Sequence, residues 1–165
     1  MIQNELDTIQ AMGQLTIEKF NGVTGQTETT VVPNMIVTLG KQYIAGRMLQ
    51  TPQSAMIAMA IGTGTTASTL ADSQLATEIL ATAYTGGLIR PLLDAANNPS
   101  RAAAVLTYRC TFGTSATTSS NAITEAGIFD NTTRAAGVMM ARTVFGVVTK
   151  TNLDTITITW TITIN

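Results

Sequence analysis

Histidine is absent from the chain, and cysteine occurs once, as Cys110. Without histidine there is no Ser-His-Asp or Cys-His nucleophile, no imidazole general base and no histidine metal ligand. A single cysteine excludes an intrachain disulfide and every cysteine-cluster zinc site, and its apolar strand setting reads as packing. Charge is the next scarcity. Charged residues are 12% of the 165 residues, about half the roughly 25% of ordinary domains. The nine basic residues are spread singly and the net charge is −1, so no basic patch points to nucleic acid. Aromatic residues, at 5%, are too few and too separated for a base-stacking or carbohydrate platform. Apolar runs fall far short of the roughly 20 residues that span a bilayer. The N-terminal M-I-Q-N-E-L-D carries acids in place of a signal peptide's basic and apolar regions, so cytoplasmic synthesis is expected.

Hydrophobic residues make up 45% of the chain, enough for one core in a domain of this length. With so little charge, the surface must consist largely of Thr, Ser, Asn, Gln and Ala. Such a surface suits a protein that lives against copies of itself or a partner. The clearest element is D-T-I-T-I-T-W-T-I-T-I-N at residues 154–165. Strand geometry sends its Ile and Trp160 side chains to one face and its threonines to the other. All of residues 155–164 are β-branched or aromatic, the types that fit a pleated sheet. Trp160 is expected in the core. The threonine face, or an unpaired edge of this strand, is the expected contact surface.

The remaining pattern is mainly strand. Ile2, Leu6, Ile9 and Met12 give a short amphipathic helix pattern over residues 1–13. Residues 14–32 are polar and β-leaning with an Asn21-Gly22 turn, as a hairpin or an arm. A helix is expected to start at Pro33-Asn34, with Asn34 as cap, and to run through Ile36, Leu39, Tyr43, Ile44, Arg47 and Met48 towards Pro52. Gly40 and Gly46 weaken it or let it pack closely on a sheet. Residues 54–61 read as a strand entering the G-T-G-T-T-A-S-T loop, and residues 70–76 as a helical turn. Residues 77–84 and 88–94 read as a strand pair broken at Gly86-Gly87. Further strands are expected at 101–112, 123–129 and 137–148, the last kinked at Gly146. Between them lie turns at 97–100 and 130–133 and a loop at 113–120. Consecutive strands predict an antiparallel meander or Greek key. The fold class is therefore mainly β, an antiparallel β-sandwich or jelly-roll-like domain with one or two short helices near the N-terminus. Residues 1–32 form an N-terminal helix and arm or hairpin and residues 33–165 a β-rich domain, together one folded unit.

No catalytic, cofactor-binding or metal-ligating residue stands out. G-x-S-x-G, G-x-x-x-x-G-K-S/T and calcium-loop spacings are all missing. Gly62-Thr63-Gly64-Thr65 resembles a phosphate cradle without its lysine, and its glycines are expected to serve positive φ. Glu125 interrupts an apolar strand; if buried it must be paired, with Arg142 or Arg109 as candidates, or else it faces outward. Asn131-Thr132-Thr133 is formally a glycosylation sequon that reads as a turn. Met56, Met59, Met139 and Met140 read as adaptable core filler. Tyr43, Tyr84 and Tyr108 are the aromatics that could converge as a recognition site.

Several segments in this order resemble a group of tailed-bacteriophage virion proteins. They are V-P-N-M-I-V-T-L-G-K-Q-Y-I-A-G-R-M (32–48), A-M-A-I-G-T-G-T-T-A-S-T (58–69), I-T-E-A-G-I-F-D (123–130), G-V-M-M-A-R-T-V-F (137–145) and T-K-T-N-L-D-T-I-T-I-T-W-T-I-T-I (149–164). The chain looks most like the small capsid cement (decoration) proteins of tailed phages. The resemblance spans residues 32–164 and implies a β-rich homo-oligomer, dimer or trimer, on the capsid exterior. Its partner would be the separate major capsid protein. The resemblance carries no catalytic residue across, and neither nucleic acid nor membrane is an expected partner. Similar segments occur in tail-fibre and collar proteins, so a tail-fibre, collar or baseplate part is the alternative, although coiled-coil heptads are missing. A receptor- or glycan-binding module is the alternative of another class.

Overall fold

A computed structural model describes residues 10–49, 53–79, 90–95, 99–114 and 120–165. Eight strands and one helix make up the described elements. They are β1 (Ala11–Phe20), β2 (Thr27–Ile36), α1 (Thr38–Gly46), β3 (Ala58–Gly62), β4 (Ser100–Ala102), β5 (Val105–Phe112), β6 (Asn121–Phe129), β7 (Met139–Lys150) and β8 (Thr155–Ile164). The strands form one antiparallel sheet in the order β3-β6-β7-β2-β1-β8-β5-β4. It curls on itself as a half-barrel whose two halves enclose one main core, the mainly-β, sandwich-like class expected.

β8 lies at the centre of one half. It pairs along its whole length with β1, from Ala11–Ile164 to Phe20–Thr155, and with β5 from Val105–Thr163 to Phe112–Ile156. Ile156, Ile158, Trp160 and Ile162 are fully buried, while its threonines are half-buried. Trp160 sits in register between Leu15 and Tyr108 and shares its cluster with Ile123, Ile128, Phe145 and Met59 from the opposite half. Because both sides of β8 are paired, the expected unpaired edge does not exist.

β1 and β2 form a hairpin. Asn21 Oδ1 accepts from the Val23 and Thr24 amides, and Gly25 takes φ 71° in the turn. The hairpin is no peripheral arm, since β1 lies between β2 and β8. Of the helix expected over 1–13, residues 1–9 lie outside the described residues, and from Ala11 onward the chain is strand. Leu15 and Ile17 alternate inward on the sheet. The next helix also begins later than expected. Pro33 and Asn34 belong to β2, and α1 starts after Val37 with no side-chain cap. A residue ahead of proline favours extended backbone, and β2 is turning a corner there. It leaves β1 at Gly13–Asn34 and joins β7 through Met35–Arg142 and Ile36–Ala141. Gly13 makes the corner possible, because a Cβ would overlap the Asn34 amide. In α1, Gly40 lies against β7 so closely that a Cβ would overlap the Met140 carbonyl oxygen.

The later strands follow expectation with two changes, and β7 is irregular at Gly146 as expected. Residues 101–112 divide into β4 and β5 around Ala103, at φ 50°. β7 bulges around Gly146, where its register to β6 jumps from Ile123–Val148 to Glu125–Val144. Among the last four strands only β6 and β7 are sequential neighbours; β5 and β8 pair across the fold. Residues 70–76 form turns and bends, not a helical turn, as Asp72 folds back to accept from Thr69 N and Oγ1. Of the strand pair at 77–84 and 88–94, residues 80–89 lie outside the described residues. Its flanks make single bridges, Gly62–Glu78 and Ala58–Leu92. Half of the 97–100 turn and most of the 113–120 loop also lie outside.

Candidate functional site

Glu125 is fully buried and paired, with Arg142 rather than Arg109. Its Oε1 accepts from Gly64 N at 3.0 Å and Thr77 N at 2.6 Å, its Oε2 from Ala76 N and Arg142 Nε, each at 3.0 Å. Arg142 Nη2 lies 2.8 Å from Oε2, and Arg142 Nη1 donates to Asp72 at 2.7 Å. The G-T-G-T loop thus gives one amide, Gly64 N, to an anion that is the protein's own carboxylate, and Ala76 and Thr77 supply the other two. Neither Gly62 nor Gly64 has positive φ. Both are glycine because a Cβ would collide with the Glu125 carboxylate. Burial alone would raise the Asp72 carboxyl, yet the Thr69 donors and Arg142 hold it below its ordinary range. Every donor aimed at Glu125 is satisfied within the fold, so this cluster is a structural clasp.

A second clasp went unforeseen. Arg90 is fully buried, donates from Nε and Nη2 to the two Glu78 carboxylate oxygens at 2.9 Å each, and stacks 3.5 Å from the Phe129 ring centroid. Lys150, also fully buried, donates to the Asp154 and Thr151 carbonyl oxygens at 2.7 and 3.2 Å. Burial lowers its ammonium pKa against the pull of Asp154. The only sequence signal for these was the presence of charge in a chain that uses so little.

The other candidates resolve as packing. Tyr43 and Tyr108 are buried together in the core, and burial pushes the Tyr108 phenol up to about 12; Tyr84 lies outside the described residues. Burial also pushes the Cys110 thiol well above its ordinary value. Met56, Met59, Met139 and Met140 are core residues. Asn131 makes a turn, its Oδ1 accepting from Thr133 N. Among the described residues no group of three His, Cys, Asp or Glu side chains could hold a metal ion, and no helix is long and apolar enough to cross a membrane. A cleft of about 530 Å³ beside α1 is lined by Met12, Ile44, Met48 and Ile164, with Lys41 as the one charge among the described residues.

What the fold does provide is a surface. The strand registers place the five β8 threonines in the middle of the outer face of β2, β1, β8 and β5. Thr16, Thr27, Thr29, Thr107 and Thr111 extend this hydroxyl field on the neighbouring strands, in the same registers. Charge on these four strands' outward positions is confined to Glu18 and to Arg109, which lies 3.2 Å from Asp94. Met12, Val31 and Phe20 stand on the same face, 55%, 52% and 46% exposed. Four strands and five rows make it roughly 19 Å by 30 Å. Isolated exposed apolar residues are ordinary; a broad face this poor in charge suits contact with protein. No protein-family model, curated protein or solved structure matches the chain.

Proposed function

We propose that the chain is a bacteriophage capsid cement (decoration) protein, acting as a homo-oligomer on the capsid exterior against a shell of major capsid protein. The observation that carries this reading is the charge-poor threonine face of β2, β1, β8 and β5, a surface suited to being covered. The ordered segments from residues 32 to 164 that resemble such proteins support it. The protein's work in this reading is mechanical. It adds buried area at junctions between capsomers, and modest contacts repeated around a closed shell act together.

The test is stoichiometry. Gel densitometry of purified virions is expected to give hundreds of copies per particle. A dozen copies would identify a tail component instead, and absence from virions would end the proposal.

A further inference from the structure

The outer face is self-complementary about β8. β1 and β5 flank this strand in register, so each outer row reads one β1 residue, one β8 threonine and one β5 residue. The rows are Met12–Thr163–Val105, Gln14–Thr161–Thr107, Thr16–Thr159–Arg109 and Glu18–Thr157–Thr111. One step further, Phe20 pairs with Thr155, and Gly113 follows Phe112 on the β5 side.

A two-fold axis in the plane of the face and along β8 lays the β1 of one copy over the β5 of another. Met12 then meets Val105, apolar on apolar. Gln14 meets Thr107, polar on polar. The long Arg109 faces the short Thr16, and Glu18 faces the short Thr111 beside Arg109. Phe20, 46% exposed, falls on Gly113, where a Cβ would meet nothing within 4 Å. The Met12, Gln14, Thr16 and Phe20 rows match size with space or like with like; Glu18 meets Thr111, whose hydroxyl donates to Asp94, an acid already paired with Arg109 at 3.2 Å. Sheets stack face to face at about 10 Å, and an axis along β8 keeps the two β8 strands parallel, so each row meets its own counterpart. At roughly 19 Å by 30 Å the face lies near the lower end of standard interfaces, about 600 Å² per partner.

We propose that a second copy of this chain covers the threonine face, giving an isologous dimer with β8 on its two-fold axis. The inference rests on the cement reading only for its setting and names the partner of that same face. Near the axis each copy's Thr159 approaches its symmetry mate. Thr159→Lys therefore sets two cations together and Thr159→Glu two anions.

The test is sedimentation equilibrium of the purified full chain, with circular dichroism to check that each variant keeps its fold. Wild type is expected to be a dimer. Each variant alone should weaken the dimer by roughly a hundredfold, since like charges juxtaposed cost several kcal/mol. An equimolar mixture of the two should restore a mixed dimer. Gly113→Trp puts a ring into the space over which Phe20 would lie, starting from a Cβ position with no described atom within 4 Å, and should also weaken the dimer. A wild-type monomer at about 100 µM, too weak for a specific pair, would overturn the inference, as would Thr159→Lys or Gly113→Trp dimerising like wild type. A monomer found in hundreds of copies on virions sinks the dimer and leaves the cement reading standing. A dimer with these variant responses that is missing from virions does the reverse.

Discussion

Replacing Glu125 with glutamine keeps shape and removes one charge, and the geometry makes it costly. Each carboxylate oxygen faces two donors, Gly64 N and Thr77 N on Oε1, Ala76 N and Arg142 Nε on Oε2. Either orientation of the glutamine amide must point its NH2 at two N–H groups, stranding them while Arg142 loses its buried counter-charge. Breaking a buried pair costs about 3–5 kcal/mol, and the stranded donors belong to the same loss. We expect Glu125→Gln to lower stability by about 3–5 kcal/mol, a large share of the 5–15 kcal/mol typical of a domain. At about 2–4 °C per kcal/mol, the midpoint of thermal unfolding should fall by roughly 10 °C. The assay is urea unfolding at pH 7, reading the midpoint at an unchanged denaturant slope. A loss under about 1 kcal/mol would refute the clasp. Removing both charges should not rescue the fold, since a Glu125→Leu, Arg142→Met double variant leaves the Gly64, Ala76 and Thr77 amides without acceptors.

Trp160 Nε1 is buried with no hydrogen-bond partner among the described residues, so Trp160→Phe should cost under about 2 kcal/mol while Trp160→Ala costs about 3–5. Equal losses in chemical denaturation would contradict this. Gly40→Ala should destabilise the protein although alanine favours helices by about 1 kcal/mol, because its Cβ overlaps Met140; a raised melting temperature would refute that packing. The Tyr108 phenol keeps its proton up to about 12 when folded and to about 10 unfolded. The folded state then binds more protons between those values, so stability should fall by up to roughly 2–3 kcal/mol as pH rises from 10 to 12. Phenolate absorbance titrated with and without urea measures this, and ionisation of all tyrosines near pH 10 in the native protein would refute it.

Local pattern was legible where one periodicity had no rival. Residues 155–164 alternate without interruption and form β8, and Glu125 stood out as a charge in an apolar strand, with Arg142 among its candidate partners. The failures were long-range. Pro33-Asn34 carries helix-start chemistry, yet what decides its conformation is Gly13 lying in register with Asn34 and β7 waiting beyond. The glycines of the G-T-G-T loop suggested special backbone angles, whereas the cause is a carboxylate some sixty residues away. Asp72 and Glu78 sit in segments whose local sequence says nothing of Arg142 or Arg90. Strand order was equally hidden, because turn residues tell where a strand ends and not which half of the sheet receives the next one. The threonine face was anticipated on β8 alone; its extension to β2, β1 and β5 needed the registers.

The pairing of β1 with β8 also bears on synthesis. A ribosome makes β1 early, and β2 folds back on it at once, but the other side of β1 waits until β8 emerges, Phe20 for Thr155 and Ala11 for Ile164. Until then Leu15 and Ile17 lack their covering strand, and the row of β1 amides facing it has no acceptors. Such non-local pairing folds slowly, and nascent chains on one messenger hold the same open strand side by side. A β8 released from one chain fits the β1 of its neighbour as well as its own, the circumstance in which identical elements are exchanged between copies. The feature that makes the mature sheet continuous therefore makes its yield depend on how fast, and how close together, the chains are made.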